Sequence, residues 1–316
     1  MKFRRFDPLN CDLSRLVLGT MVFNTNEEGM KTTFDLMNEW LNLGGNIVDC
    51  ANVYGGGNSE RALGRWIEET GRREEIVILT KGAHMNGDRR RVTPWDIGSD
   101  LLDSLARLKT DYVDLYLLHR DDPSVPVGPI VEALNEHKRA GRIRAFGGSN
   151  WSVERLEEAN TYADAHGLEP FTASSPNLSL ATQNEPMWFE CNSANDPDSL
   201  AWYERTQMPL FAWSSQAGGF FTGRFSPENR DNSDMVRVYY NDGNWERLKR
   251  AQELGERKAV PALQIALAWV LNQPFPAYAL FGPRNLEELH SSIAAIEVEL
   301  TPDEVQWLNL SDGAAS

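Results

Sequence analysis

Short apolar runs alternate along the chain with longer segments in which apolar residues recur every three or four positions. Eight runs resemble strands, and they lie at residues 16–20, 46–49, 76–81, 113–119, 143–146, 171–174, 209–213 and 277–281. The segments between them predict helices, as Met30, Phe34, Met37 and Leu41 show after the first run. Strands that alternate with helices in this way are predicted to be parallel and joined by right-handed crossovers.

Eight repeats of strand and helix favour one (β/α)8 TIM barrel, which we predict as a single domain over residues 1–316. An open doubly wound sheet is the alternative fold. Its dinucleotide-binding form would need a GxGxxG motif, and Glu60 stands where the third glycine would follow Gly55 and Gly57. The barrel is therefore the predicted fold, with long loops after its sixth and seventh strands, at residues 176–197 and 216–241.

Polar residues mark the beginnings of several predicted helices. Thr25 and Glu28 have the spacing of a capping box, and so do Asn285 and Glu288. Thr301, followed by a proline, predicts the start of the last helix.

Composition narrows the class of protein. Hydrophobic residues make up 41% of the chain, and the net charge of −15 argues against nucleic acid or an anionic membrane as a partner. Cys11, Cys50 and Cys191 lie too far apart to predict a disulfide framework or a zinc site of paired cysteines. No apolar run has the length of a membrane span or a signal peptide. We expect a cytoplasmic protein, and the sequence makes no prediction of its oligomeric state.

Histidine spacing gives no reason to expect a metal. The histidines are His84, His119, His137, His166 and His290, and they show no His-x-x-x-His pattern. Only His119 follows a predicted strand directly, so no metal site is predicted.

Four polar residues lie at, or shortly after, the carboxyl ends of predicted strands: Asp49, Tyr54, Lys81 and His119. Each has an ordinary alternative role, as a turn cap, a packed phenol, a lysine that reaches for solvent, or a hydrogen-bonded core histidine. In a barrel, however, the carboxyl ends of all strands meet on the face where active sites form. The four residues are therefore predicted to share one catalytic site.

The motifs around these residues carry a family resemblance. They are Gly45-x-x-x-Asp49-x-Ala51-x-x-Tyr54-Gly55, Leu79-Thr80-Lys81, the run from Asp114 to His119, Gly148-Ser149-Asn150, Ser214 with Thr222-Gly223, and Phe281-Gly282-x-Arg284. In this order and spacing they make the chain resemble the aldo-keto reductases over nearly its whole length. The resemblance implies a barrel enzyme that reversibly reduces an aldehyde or ketone to an alcohol with NAD(P)H and without metal.

The resemblance also implies a role for each of the four residues. Tyr54 would be the general acid, Lys81 and Asp49 would tune it, and His119 would orient the carbonyl oxygen. A free tyrosine has a pKa of about 10, and a nearby ammonium is expected to lower it. Donors from Tyr54 and His119 would then meet the negative charge that grows on the oxygen as hydride arrives.

Further residues are implied as cofactor contacts. They are Gly19, Thr20, Ser149, Asn150, Ser175, Trp213, Ser214, Gly282, Arg284 and Glu288. Ser149 and Asn150 match the pair that binds the nicotinamide carboxamide, and Trp213 stands where the family usually stacks a tyrosine on the nicotinamide. Ser175 stands where many relatives have a glutamine.

The cofactor is predicted to be NADP(H) rather than NAD(H). A helix start beside Arg284 offers backbone N–H groups and a guanidinium to a phosphate. The alternative is that Arg284 is a surface residue paired with Glu287 or Glu288, whose carboxylates would repel a phosphate.

The predicted partner is a small carbonyl or alcohol substrate, such as a sugar or a small aldehyde. By position in the sequence, Phe23, Met85, Trp151 and Phe220 are expected to line its site. Two other functions are possible for such a chain: a barrel that serves as a regulatory binding subunit, and an aldolase that uses Lys81 to form a Schiff base. The presence of all four catalytic side chains favours the reductase.

Overall fold

The apolar runs form strands and the periodic segments form helices. A computed structural model describes residues 1–311 of the chain. Within that range the strands are β1 (Phe3–Phe6), β2 (Cys11–Ser14), β3 (Leu16–Gly19), β4 (Ile47–Asp49), β5 (Val77–Gly82), β6 (Val113–Leu118), β7 (Ile143–Ser149), β8 (Ser174–Ser175), β9 (Leu210–Ala212) and β10 (Ala277–Phe281). The helices are α1 (Glu27–Asn42), α2 (Asn58–Thr70), α3 (Pro94–Leu108), α4 (Val127–Arg139), α5 (Val153–Ala165), α6 (Pro197–Thr206), α7 (Ser233–Tyr239), α8 (Asp242–Lys258), α9 (Ala262–Leu271), α10 (Leu286–Ala294) and α11 (Pro302–Leu308).

Strands β3 to β10 close into a barrel in the order β10-β3-β4-β5-β6-β7-β8-β9. The ladders between β4 and β5 and between β5 and β6 are parallel, as the alternation with helices requires. Strands with helices on the outside of a barrel are buried on both faces. This is why β6 and β10 are buried along their whole length and why their residues, apart from Asp114, are apolar. The predicted (β/α)8 TIM barrel is confirmed.

Contacts between Cα atoms group the chain into two units. The first contains Met1–Ser175 and Gly282–Leu289, and the second contains Pro176–Phe281 and the chain from His290 onward. The first unit holds strands β1 to β8, and the second holds β9 and β10. A single domain over residues 1–316 stays a prediction, and its residues 312–316 lie outside the described range.

An antiparallel hairpin precedes the barrel and was not predicted. β1 pairs with β2, with Phe3 opposite Ser14. The hairpin is fixed to the start of β4, because the backbone N–H of Ser14 donates to Asn46 Oδ1 over 2.9 Å and Asn46 Nδ2 donates to the Asp12 carbonyl over 2.8 Å. It therefore lies at the amino-terminal end of this barrel strand.

Two local predictions need correction. Helix α1 is capped by Asn26, whose side chain accepts from the backbone N–H of Gly29 over 2.7 Å, and not by a box of Thr25 and Glu28. An asparagine amide caps a helix as well as a threonine hydroxyl does. The connection after β9 is long, as expected, but it contains α7. Only two turns long, α7 packs through Met235 and other buried side chains, and such short helices form through packing rather than local preference.

Candidate active site

The register of the barrel brings three predicted catalytic side chains together. Asp49 pairs with Leu79 in the ladder between β4 and β5, and Lys81 lies two residues beyond Leu79 on the same face. From there Lys81 Nζ donates to Asp49 Oδ1, to the Tyr54 hydroxyl over 3.2 Å and to the Cys50 carbonyl over 3.3 Å. A continuous contact chain thus runs from Asp49 through Lys81 to the phenol.

Asp49 and Lys81 form a buried ion pair whose side chains are 5% and 2% exposed. Burial alone would lower the pKa of Lys81, but Asp49 and Tyr54 together outweigh it, and the pKa of the ammonium lies above its ordinary value. Burial raises the pKa of the Asp49 carboxyl, and the ammonium opposes that rise. Because a buried charge is costly unless it is paired, each partner stabilises the other.

Tyr54 begins a short 3-10 turn, Tyr54–Gly57, that follows β4. Burial of its hydroxyl raises the pKa of Tyr54 to about 12, although the Lys81 ammonium acts to lower it. The sequence predicted a lowered pKa for Tyr54, and this expectation is wrong, because desolvation has a larger effect than the ammonium. At neutral pH the phenol is therefore protonated and able to donate.

His119 directly follows β6, and its ring lies edge-on to the Tyr54 ring with 5.8 Å between centroids. Its backbone N–H donates to the Gly82 carbonyl over 2.7 Å, which fixes the main chain. Burial, followed by the charges of Lys81 and Arg120, keeps the pKa of His119 well below its usual range. The imidazole is therefore neutral at pH 7. Its Nδ1 is buried without a hydrogen-bond partner among residues 1–311, which makes it a candidate contact for a substrate.

A second histidine, which the sequence analysis did not assign to this site, lies beside the first. The ring of His84 is 5.0 Å from that of His119, and its Nδ1 lies 2.7 Å from the Met85 carbonyl. Burial lowers the pKa of His84. Its position three residues after Lys81 was the only signal in the sequence.

A buried network behind the site was also not predicted. Glu60, at the start of α2, is fully buried and accepts from Thr80 Oγ1 over 2.8 Å and from Arg107 Nη1 over 3.3 Å. Arg107 Nη1 also donates to the Asn52 carbonyl over 2.9 Å. The network therefore joins the strand that carries Lys81 to the loop between β4 and α2.

The sequence does contain a signal for this network. Glu60 precedes Leu63 by three residues and Ile67 by seven, so it lies on the apolar face of α2. A carboxylate on a buried helix face needs partners, and that requirement could have indicated the network.

Gly19 and Thr20, predicted as cofactor contacts, lie at the end of β3. Thr20 is buried, and its Oγ1 donates to the Asp49 carbonyl over 2.9 Å and lies 2.7 Å from Ser59 Oγ. Gly19 pairs with Asp49 in the barrel. Both residues support the end of β4 in this structure, and their contact with a cofactor stays a prediction.

Ser149, Asn150 and Ser175 form a buried polar cluster at the ends of β7 and β8. Ser149 Oγ donates to the Ser175 carbonyl over 2.8 Å, and Asn150 Nδ2 donates to the His119 carbonyl over 3.1 Å. Asn150 has a φ of 60°, a left-handed conformation that asparagine tolerates better than most residues. The cluster supplies hydroxyl and amide groups next to a catalytic residue, a set that fits a nicotinamide carboxamide.

The predicted phosphate-binding residues follow β10. Gly282 is exposed, and a Cβ added to it would meet no atom within 4 Å. Asn285 caps the next helix by accepting from the Glu288 backbone N–H over 2.9 Å. Arg284 donates to Glu288 through Nε over 3.0 Å and through its backbone N–H over 2.8 Å. The guanidinium thus has the carboxylate partner that the alternative interpretation of the sequence expected.

In the second unit, Trp213 directly follows β9 and keeps part of its surface exposed. Its ring lies 5.5 Å from that of Trp188 at an angle of 46°, and its carbonyl accepts from Asn177 Nδ2 over 3.1 Å. Ser214 follows with a φ of 51°. A flat, partly exposed ring is what stacking on a nicotinamide would need, and that contact stays a prediction.

Most of the predicted substrate residues are buried. Phe23, Trp151 and Phe220 are 1%, 1% and 0% exposed, so they pack the interior of their units in this structure. Met85 alone among the four predicted residues keeps exposed surface. Aromatic side chains on loops are as useful for packing as for binding, and the sequence does not separate the two roles.

Among residues 1–311, no group of three His, Cys, Asp or Glu side chains is arranged to hold a metal ion. The helices of the described chain are all too short or too polar to cross a bilayer.

Known proteins resemble this chain in sequence and in structure. The model of the Aldo/keto reductase family matches residues 15–310. The chain is 29% identical to the uncharacterized oxidoreductase YrpG of Bacillus subtilis, over 94% of this chain and 91% of that one. It is 28% identical to norsolorinic acid reductase of Aspergillus flavus, over 94% and 77% of the two chains. Among solved structures, the thermostable aldo-keto reductase Tm1743, in complex with the inhibitor epalrestat, has the same fold, with a TM-score of 0.76, 23% identity, and coverage of 98% and 99%.

Proposed function

The chain belongs to the aldo/keto reductase family, and on that premise we propose that it reversibly reduces an aldehyde or ketone to an alcohol with NAD(P)H. The observation that supports the proposal most directly is the contact chain from Asp49 through Lys81 to the Tyr54 hydroxyl. His119 lies beside that hydroxyl with an unpaired buried nitrogen. Together these groups supply a proton donor and a second polar contact for one substrate oxygen.

Each residue has a distinct part in the proposed reaction. The bound cofactor supplies the hydride. Tyr54 gives its proton to the carbonyl oxygen, and the Lys81 ammonium stabilises the phenolate that remains. Asp49 keeps Lys81 charged in its buried position. His119, neutral at pH 7, hydrogen-bonds the same oxygen and orients the carbonyl.

Cofactor binding is proposed from the polar groups described above. Ser149, Asn150 and Ser175 would hold the carboxamide, because their hydroxyl and amide groups lie together and are buried. Trp213 would offer its ring to the nicotinamide, and Gly282 leaves space for a close approach of phosphate to the main chain.

The geometry does not favour a Schiff base at Lys81. A nucleophilic lysine must be neutral, which requires a lowered pKa. Here Asp49 and Tyr54 outweigh burial and raise the pKa of Lys81, so the ammonium is the stable form. In the proposed reductase mechanism the charged ammonium of Lys81 stabilises the Tyr54 phenolate, so no neutral lysine is needed.

Turnover of 4-nitrobenzaldehyde with NADPH and with NADH tests the proposed function. We expect loss of absorbance at the band of the reduced nicotinamide. Sugars, small aldehydes and norsolorinic acid, which appears in the name of one relative, extend the panel toward the physiological substrate. Absence of turnover for every compound with both cofactors would contradict the proposal.

We further propose that the enzyme prefers NADP(H), with Arg284 as the ligand of the additional phosphate. Glu288 already binds this guanidinium in the structure, so the phosphate must compete with a carboxylate. Arg284→Ala is expected to weaken NADPH binding about tenfold without affecting NADH, since a charge-assisted contact contributes about 1.5–3 kcal/mol. Glu288→Gln is expected to strengthen NADPH binding. Dissociation constants for both cofactors measure both effects.

Glu287→Gln is the matched control for this prediction. It removes the same charge one residue away, and among the described contacts Glu287 makes none with Arg284. An unchanged ratio of NADPH to NADH affinity in Arg284→Ala would show that Arg284 is only the surface partner of Glu288.

A further inference from the structure

A cavity of about 550 Å³ in the first unit is lined by residues of α2 and α3, by Lys109 directly after α3, and by Thr25. Its charged lining residues are Arg61, Arg65, Arg107, Lys109 and Glu68. Four of these five lining residues are cations, although the chain as a whole carries a net charge of −15. In such a lining, a cation that lacks a carboxylate partner can attract a small anion.

The cations of the cavity differ in how they are paired. Three of them have carboxylate partners: Arg65 with Glu69, Lys109 with Glu68, and Arg107 with both Glu60 and Asp103. Arg61 has no carboxylate partner among residues 1–311. The contact that it does make is a hydrogen bond from Nη1 to the Gly56 carbonyl over 3.3 Å. Arg61 therefore brings an unneutralised charge to the cavity.

The guanidinium groups of Arg61 and Arg107 approach the same point. A Cβ built on Gly57 would lie 2.8 Å from Arg61 Nη1 and 2.6 Å from Arg107 Nη1. Gly57 has a φ of 88°, a left-handed conformation in which any other residue would be strained. Two converging guanidinium groups can donate to different oxygens of one tetrahedral anion, which is how arginines hold phosphate.

We propose that this cavity binds a phosphate group through Arg61 and Arg107. A phosphate suits the pair better than a single carboxylate, because its additional acceptor oxygens serve both guanidinium groups at once. The cavity has room for inorganic phosphate or for a small phosphorylated metabolite.

The site is connected to the loop that carries Tyr54. Arg61 donates to the Gly56 carbonyl and Arg107 donates to the Asn52 carbonyl, so both cations hold the main chain on either side of Tyr54. A phosphate that redirects these donors changes how firmly the loop is held, and with it the rate of turnover. This second step rests on the proposed reductase function, whereas phosphate binding does not.

Calorimetry on the cofactor-free protein at constant ionic strength tests the binding step, with inorganic phosphate and glycerol 3-phosphate as separate probes. The wild type is expected to bind phosphate at one site. Arg61→Gln is expected to bind it at least about tenfold more weakly. Arg72→Gln is the matched control, since Arg72 is a surface arginine outside the cavity and paired with Glu75. Tighter binding of glycerol 3-phosphate than of inorganic phosphate would identify a metabolite as the ligand, and the reverse would identify the free ion.

Arg284→Ala separates this site from the proposed cofactor site. It is expected to bind phosphate as the wild type does. No saturable binding by the wild type, an unchanged affinity in Arg61→Gln, or loss of binding in Arg284→Ala would each overturn the proposal.

The kinetic step is measured with NADH as the reductant, so that phosphate does not compete with a 2′-phosphate. Phosphate is expected to change kcat in the wild type and in Arg72→Gln, but not in Arg61→Gln. If phosphate binds and kcat does not change, the link to the Tyr54 loop is wrong. If the wild type has no turnover at all, the reductase proposal fails while the calorimetric result stands.

Discussion

Tyr54→Phe is expected to lower carbonyl turnover by about 10²–10⁴-fold, the usual contribution of a general acid. The phenylalanine keeps the ring and removes the hydroxyl that Lys81 contacts over 3.2 Å. No other protonated hydroxyl is held between this ammonium and His119 in the described site, so the proton would have to come from water. Binding of NADPH should be nearly unchanged, because the substitution leaves the proposed cofactor contacts intact. Measuring kcat and the dissociation constant of NADPH for the same variant shows whether turnover is lost while cofactor binding is kept.

Tyr112→Phe is the matched control, since the Tyr112 hydroxyl lies outside the site and donates to Glu74 over 2.7 Å. It should leave turnover unchanged. A loss of less than tenfold in Tyr54→Phe would exclude Tyr54 as the proton donor.

The pH dependence gives the same assignment a second test. With a pKa of about 12, the Tyr54 phenol stays protonated through neutral and moderately alkaline pH. Reduction needs this protonated form, so its rate should hold as pH rises until the phenol ionises. Alcohol oxidation needs the phenolate and should become faster over the same range. Because the pKa of His119 lies well below its usual range, the rate of reduction should show no change near pH 6.5 from titration of this histidine.

Lys81→Met is expected to reduce the free energy of unfolding by about 3–5 kcal/mol, the cost of leaving one member of a buried ion pair alone. The methionine fills similar space, but Asp49 is left buried without its ammonium. Turnover should fall as well, since Tyr54 loses its charged neighbour. Urea unfolding followed by fluorescence measures the first effect.

A double-mutant cycle identifies the cause. If the cost of Lys81→Met is the unpaired charge of Asp49, then Asp49→Asn combined with Lys81→Met should cost less than the two single changes added together. A double variant whose cost equals that sum would show that the two residues act independently.

The deficit of Lys81→Met should also depend on pH. Without the ammonium, burial keeps the folded-state pKa of Asp49 above its unfolded value of about 3.9. The folded state then binds the proton more tightly than the unfolded state does. The deficit should therefore be smallest in acid, below the unfolded pKa, and should grow as pH rises through the folded pKa.

The barrel could be predicted because its strands are buried on both faces and stand out as apolar runs. The N-terminal hairpin could not, since Phe3–Phe6 and Cys11–Ser14 are short and interrupt their apolar residues with charges. Helix α7 was not predicted for a related reason. It has only two turns and lies in a polar stretch, so its apolar residues do not recur often enough to show a helical periodicity.

Among the site residues, sequence position indicated which groups would meet but not their protonation or their partners. Asp49 and Lys81 end neighbouring strands, so their contact follows from the fold. The pKa of Tyr54 depends on a balance between burial and one ammonium, which no motif encodes. The pairing of Arg284 with Glu288 was one of two outcomes left open by the spacing, and only the side-chain geometry distinguishes them.

The hairpin has a practical consequence for anyone who wishes to attach the protein to a surface. It is bound to Asn46, at the entrance to β4, whereas Asp49 lies at the opposite end of the same strand. Met1 lies beside Gly44, on the hairpin's side of that strand. A tether joined at Met1 would therefore leave from the amino-terminal side of β4, opposite the end that carries Asp49 and Tyr54. Immobilised preparations and fusions to a nicotinamide-recycling enzyme should be joined there.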